Sequence, residues 1–182
     1  LRNPLAPILN ALKVIRMSDW DREAARSASE MMERQVGQMV RLVDDLLDVS
    51  RISRGKIELR LSRIELQSAI RQAVEAARPL IESLNHELTV TLPPQQLYLN
   101  ADATRLAQVF GNLLNNACKF TERGGRISLS VEQEEGRAVI RIKDSGIGIE
   151  SSQLVHVFDI FVQVDTSLER ATTGLGIGLT LV

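Results

Sequence analysis

A disulfide framework, a membrane span and a basic nucleic-acid footprint are all missing from this sequence, and each gap removes a class of function. Its 182 residues include one cysteine, Cys118, so no intrachain disulfide can form and a reducing, cytoplasmic setting is expected. No apolar run approaches the roughly 20 residues that a transmembrane helix needs, so no membrane contact is expected of this stretch. Lys and Arg number 22 against 23 Asp and Glu, a net charge of -1, which leaves no basic face for nucleic acid. Internal repeats and low-complexity tracts are also lacking. The first residue is Leu1 and not Met, with no signal-peptide pattern behind it, which points to a piece of a longer protein.

What is present divides in two. Leu1, Leu5, Ile8, Leu12 and Ile15 recur at spacings of four and three, one stripe of a helix that Ser18 and Asp19 interrupt. Ala25, Ala28, Met32, Gln35, Met39, Leu42, Leu46 and Val49 alternate three and four in the manner of a heptad seam. Residues 1–54 therefore predict an antiparallel helical hairpin. One partner helix cannot cover either stripe fully, so two copies are expected to pair as a homodimeric four-helix bundle.

Over residues 55–182 the pattern is mixed. Ile57, Leu59 and Leu61 alternate with Lys56, Glu58 and Arg60, which predicts a half-buried strand. A helix follows over about 65–84, then a strand through Leu88, Val90 and Leu92 that Pro93 and Pro94 stop, and a short strand at Leu97 and Leu99. Asp102 is a good N-cap for a helix reaching Phe120, which Gly124 and Gly125 break. Ile127, Leu129 and Val131, then Ala138, Ile140 and Ile142, read as a hairpin turning at Glu134, Glu135 and Gly136. The expected fold is α+β: the helical hairpin followed by an α/β sandwich with its helices on one side.

Three segments could carry chemistry. Asn112, Asn116 and Lys119 fall on one helix face opposite apolar positions, as either solvated surface or the wall of a site; amide oxygens and a point cation suit a magnesium-bound polyphosphate. Asp144-Ser145-Gly146-Ile147-Gly148-Ile149 follows a strand, as either a plain tight turn or a place where glycines let backbone approach a flat ligand while Asp144 accepts from an exocyclic amine. Gly174-Leu175-Gly176-Ile177-Gly178-Leu179 opens an apolar segment whose N–H groups could cradle phosphates. Between the glycine runs lie Phe158, Phe161, Gln163, Asp165 and Thr166, either a surface loop or a lid.

The order of these segments, with Asn112-Leu113-Leu114-Asn115-Asn116-Ala117-Cys118-Lys119-Phe120-Thr121, closely resembles the N, G1, F and G2 boxes of the two-component sensor histidine kinases, and Leu1-Arg2-Asn3-Pro4-Leu5 resembles the tail of their H box. The resemblance implies a dimeric phosphotransfer hairpin and an ATP-binding sandwich of the type shared with Hsp90, gyrase B and MutL. It implies ATP and Mg2+ as cofactors and a response-regulator receiver domain as partner. Asn116 would ligate the metal with Asn112 assisting, and Lys119 would meet the phosphates. Asp144 would read the adenine amine, Gly146 and Gly148 would shape its pocket, and Phe120 would lie beside the base. Gly174, Gly176 and Gly178 would let the lid and the following helix approach the phosphates. Asn3 would help position water for dephosphorylating the partner.

The same resemblance places the acceptor histidine two positions before Leu1. His86-Glu87-Leu88 repeats the start of an H box, yet Thr89 to Leu92 alternate as a strand and Arg-Asn-Pro is lacking, so His86 is not read as the acceptor. His156 reads as a surface residue and Cys118 as a buried, inert thiol. Thr172-Thr173 stands where the family often has another glycine. The chain stops at Val182, where the family continues with the rest of a helix and two strands. With the acceptor histidine outside these residues, nucleotide binding at most, without self-labelling, is expected of them. Two other readings are a degenerate scaffold that docks a regulator without turnover, and an ATP-dependent clamp or chaperone, which would lack the hairpin ending in Asp44-Asp45-Leu46-Leu47-Asp48-Val49-Ser50-Arg51.

Overall fold

Small residues mark the first helix contact. The computed structural model describes residues 2–17, 22–53, 57–162 and 176–182, and in it α1 (Arg2–Met17) packs along α2 (Arg22–Ser53) within the unit Leu1–Gly55. Ala11 and Ala28 are buried, and Ile8, Ile15, Ala25 and Met32 are half-buried. The stripe expected on α1 is split, because Leu5 and Leu12 stay 44% and 42% exposed. They adjoin the exposed Leu9, and on α2 Val36, Val40, Val43 and Leu47 form a second open apolar row at spacings of four, three and four.

The unit Lys56–Val182 contains β1 (Ser62–Glu65), α3 (Leu66–Ser83), β2 (Glu87–Thr91), β3 (Tyr98–Ala101), α4 (Ala103–Phe120), β4 (Arg126–Glu134) and β5 (Arg137–Asp144). β1 and β3 pair antiparallel, β2 lies parallel to β4, and β4 and β5 form an antiparallel hairpin. Its turn uses Glu135 and Gly136, both at positive φ (49° and 79°), the backbone that a two-residue hairpin loop demands. Along β4 the side chains of Ile127, Leu129 and Val131 point into the core. Ile70, Val74, Ala77 and Ile81 of α3 and Phe110, Leu114, Ala117 and Cys118 of α4 complete that core. The buried Gln67 amide accepts from the Leu97 N–H at 3.0 Å and donates to the Gln95 carbonyl, which ties α3 to the entry of β3.

One expected strand is displaced. Residues 57–61 form no strand, Leu59 and Leu61 are exposed, and pairing begins only at Ser62. Arg60 gives the physical reason: its N–H donates to Asp102 Oδ2 at 2.9 Å and not to a neighbouring strand. Asp102 is also the N-cap of α4, where its Oδ1 accepts from the Thr104 and Arg105 N–H groups at 2.9 and 3.2 Å. Among the described residues no helix is long and apolar enough to cross a membrane.

The Arg60 N–H, and then that of Arg105, hold the Asp102 carboxyl below the ordinary carboxylate range. A depressed folded-state value contributes stability above the unfolded-state value of about 3.9 and loses it as pH falls through the folded one. Asp102→Ala is therefore expected to lower the melting temperature by a constant amount between pH 7 and 5, and by less and less below about pH 4, as read by circular dichroism.

Candidate functional site

The core faces of α4 leave Asn112, Asn116 and Lys119 along one half-buried flank. Asn112 Nδ2 donates to the Gly178 carbonyl at 2.9 Å, a bond between residues 66 apart in sequence that brings the second glycine run onto this flank. Ile177 is 2% exposed and anchors the same run. Gly176, at φ +70°, passes so close to the phenylalanine segment that a Cβ would stand 2.6 Å from the Val162 carbonyl oxygen, and its own carbonyl accepts from the Phe161 N–H at 3.1 Å.

The first glycine turn meets the end of α4. The Ile147 N–H donates to the Phe120 carbonyl at 3.3 Å, and a Cβ on Gly146 would stand 2.3 Å from that oxygen and 2.6 Å from Asp144 Oδ1. Only glycine permits this approach. Asp144 is exposed, and its Oδ1 accepts from the Gly146 N–H at 2.8 Å and from the Thr121 hydroxyl at 3.5 Å. Ser145 locks the turn to β4, its Oγ accepting from the Arg126 N–H and its N–H donating to the Arg126 carbonyl, both at 2.9 Å. Lys119 Nζ lies 4.8 Å from the centre of the Phe120 ring, a cation–π contact. The core burial of Cys118 pushes its thiol pKa up.

The residues singled out in the sequence thus meet from three directions. Asn112, Asn116, Lys119, Phe120, Asp144, Gly146, Gly148, Gly176 and Gly178 belong to segments joined to α4 directly or to its end. Gly148 has φ +71° with open space about its Cβ, whereas a Cβ on Gly178 would meet nothing nearer than Asn112 Cγ at 3.8 Å. Gly174 and Leu175 of the second glycine run, and residues 163–173 of the expected lid, lie outside the described residues. Asn3 falls in α1, and its side chain lies outside the described ones. Thr121 and Ser145 were legible as members of the two motifs, but their bonding to Asp144 and Arg126 was not.

Among the described residues no group of three His, Cys, Asp or Glu side chains could hold a metal by itself. Two hollows lie elsewhere. One, at the β4–β5 tip, is lined by Glu134, Glu135, Arg137 and Val139, and the other, between α3 and α4, by Gln72, Ala73, Ala76, Ala77, Ala107, Gly111 and Asn115. Neither gathers the convergent polar groups that orient a ligand; Asn115 of the α4 motif lines the second, whereas Asn112, Asn116 and Lys119 line neither.

Comparison with known proteins matches residues 101–182 to the family described as histidine kinase-, DNA gyrase B-, and HSP90-like ATPase, and residues 1–55 to the His Kinase A (phospho-acceptor) domain. The histidine protein kinase DivJ of Caulobacter vibrioides is 30% identical over 184 residues, covering 100% of this chain and 31% of its own length. The circadian input-output histidine kinase CikA of Synechococcus elongatus is 37% identical over 147 residues, 79% of this chain and 19% of its own. The crystal structure of full-length ShkA in complex with AMPPNP aligns with a TM-score of 0.69 and 27% identity, over 87% of this chain and 32% of that one. The chain spans about a third or less of the length of each.

The two glycines give a paired expectation for urea unfolding. Gly146→Ala forces a methyl against the Phe120 carbonyl and should cost about 1–3 kcal/mol, as overpacking does. Gly178→Ala meets only ordinary contacts and should stay within about 0.5 kcal/mol of the parent.

Proposed function

The chain belongs to the sensor histidine kinase family, with its phospho-acceptor region at residues 1–55 and its ATPase region at 101–182, and on that premise we propose that the flank of α4 and the two glycine segments bind MgATP for phosphoryl transfer to a histidine. One observation carries the reading. The second glycine run is bonded to α4 at Asn112 and the first is pressed against it at Phe120. These attachments are eight residues apart, about 12 Å of helix, with Asn116 midway. A ligand lying along this flank would meet phosphate-cradling backbone at one end and an adenine reader at the other.

The chemistry follows from the donors. Thr121 and Gly146 both hold Asp144 Oδ1, which orients the carboxylate and leaves Oδ2 to accept from the adenine amine. Asn116, assisted by Asn112, offers a neutral amide oxygen to a magnesium ion otherwise held by phosphates and water, in keeping with the few protein ligands this ion takes. Bound Mg2+ would neutralise phosphate charge. Lys119 adds a cation beside the phosphates, Phe120 packs beside the base, Gly146 and Gly148 shape its pocket, and Gly174, Gly176 and Gly178 allow close backbone approach. Such transfer needs positioning and charge stabilisation more than covalent help.

The acceptor is assigned to a histidine two positions before Leu1 in the longer protein, whose neutral imidazole is a competent nucleophile near pH 7. Attack forms an N–P bond as the bond to the ADP oxygen breaks, and the phosphoryl group then passes to a response-regulator aspartate. Asn3, in the helical turn after that histidine, would position water for hydrolysis of the regulator's aspartyl phosphate. Pairing of two hairpins would cover the apolar rows of α1 and α2. His86 is 8% exposed, and His156 is bonded through Nδ1 to Asp159 at 2.9 Å; neither is read as an acceptor.

Titration of a fluorescent ATP analogue tests the assignment. Binding should need magnesium, and Asn116→Ala should abolish that need along with most of the affinity. Asp144→Asn should weaken ATP by roughly tenfold or more, the worth of a hydrogen bond to a charged group, while leaving inorganic tripolyphosphate binding unchanged. Equal losses for both ligands would refute the adenine-reading role.

A further inference from the structure

His86 is a buried polar residue that the proposed chemistry does not use. Its Nε2 lies 3.1 Å from the Cys118 carbonyl oxygen in the last turn of α4, and its Nδ1 is buried with no hydrogen-bond partner. The carbonyl can only accept, so Nε2 carries the proton and the ring is held in one tautomer. The chain leaves the helix at Thr121, which is extended (φ -93°, ψ 137°), so α4 has no N–H of its own for Cys118. His86 supplies it from 32 residues away.

The imidazole is itself firmly placed. The His86 N–H donates to the Ile81 carbonyl at 2.9 Å. On either side of it the α3–β2 corner is stitched to the α4–β4 turn, Gly124 N–H to the Leu84 carbonyl at 3.0 Å and Glu87 N–H to the Gly125 carbonyl at 2.9 Å. A leucine would fill the same space and leave no unpaired Nδ1. The feature that a leucine lacks is the donor to Cys118, whose carbonyl directly precedes Lys119 and Phe120.

We propose that His86 is a positioning residue of the nucleotide site, its Nε2–H capping the Cys118 carbonyl and so fixing the turn from which Lys119 and Phe120 meet the ligand. This rests on the reading of the α4 flank as a MgATP site. It assigns His86 an indirect part, through α4, and no contact with nucleotide.

The test uses the 182-residue chain, a fluorescent ATP analogue with magnesium, and a temperature well below the melting point of every variant. His86→Leu should remain folded and bind roughly three- to tenfold more weakly, the net worth of one hydrogen bond, and His86→Gln, which restores an amide N–H, should return affinity to within about twofold. A folded His86→Leu chain with parental affinity overturns the proposal, as does a folded His86→Gln chain that restores nothing. A parent chain that binds no analogue at all instead overturns the MgATP reading. If His86→Leu fails to fold, 15N–1H correlation spectra of the parent decide: the Nε2–H tautomer, with imidazole signals that move on saturation with MgATP, is expected. An Nδ1–H tautomer, or signals that do not move, contradicts it.

Discussion

An α-helix ends in carbonyl groups that it cannot bond itself, and at the end of α4 three of these are taken up in turn by different parts of the chain. Ala117 accepts from the Thr121 N–H, Cys118 from the His86 imidazole and Phe120 from the Ile147 N–H. The first fixes the exit of the helix, the second ties it to the corner before β2, and the third draws the Asp144–Gly148 turn against it. Replacing Gly146 with any larger residue would separate that turn from the helix, so the place of Asp144 depends on a carbonyl contact made by Phe120.

The opposite end of α4 is held as firmly. Asp102 caps it with one carboxylate oxygen and captures the Arg60 N–H with the other. Between the ends, Phe110, Leu114, Ala117 and Cys118 are buried against the core that β4 and α3 share. A helix secured at both termini and along one face has little freedom left, and its polar flank is a rigid base on which a ligand can be bound without ordering the protein first. Fold and candidate site are linked at this point, since the core packing that buries Leu114 also sets the direction of Asn112 and Asn116.

Much of this was legible in the residues because it is local. Asp102 announces a helix start, Gly136 a tight hairpin, and the spacing of Asn112, Asn116 and Lys119 places them on one face whatever surrounds the helix. The misplaced strand at 57–61 had the right alternation, but Arg60 is bonded to a side chain 42 residues away, and no local pattern records that. His86 was set aside as an acceptor from the strand pattern after it, but its bond to Cys118 spans 32 residues and could not be read from the run around it. On α1, spacings of four and three picked out Leu5 and Leu12, which remain exposed, and passed over Ala11, which is buried.

Chemical-shift mapping on the 15N-labelled chain tests most directly whether the three segments form one site. Addition of a non-hydrolysable MgATP analogue is expected to move the amide resonances of 112–120, 144–148 and 176–178 together, with a single affinity, while the β4–β5 tip and the groove between α3 and α4 stay unchanged. Shifts confined to one of these segments, or centred on either of those two hollows, would contradict a common nucleotide site on α4.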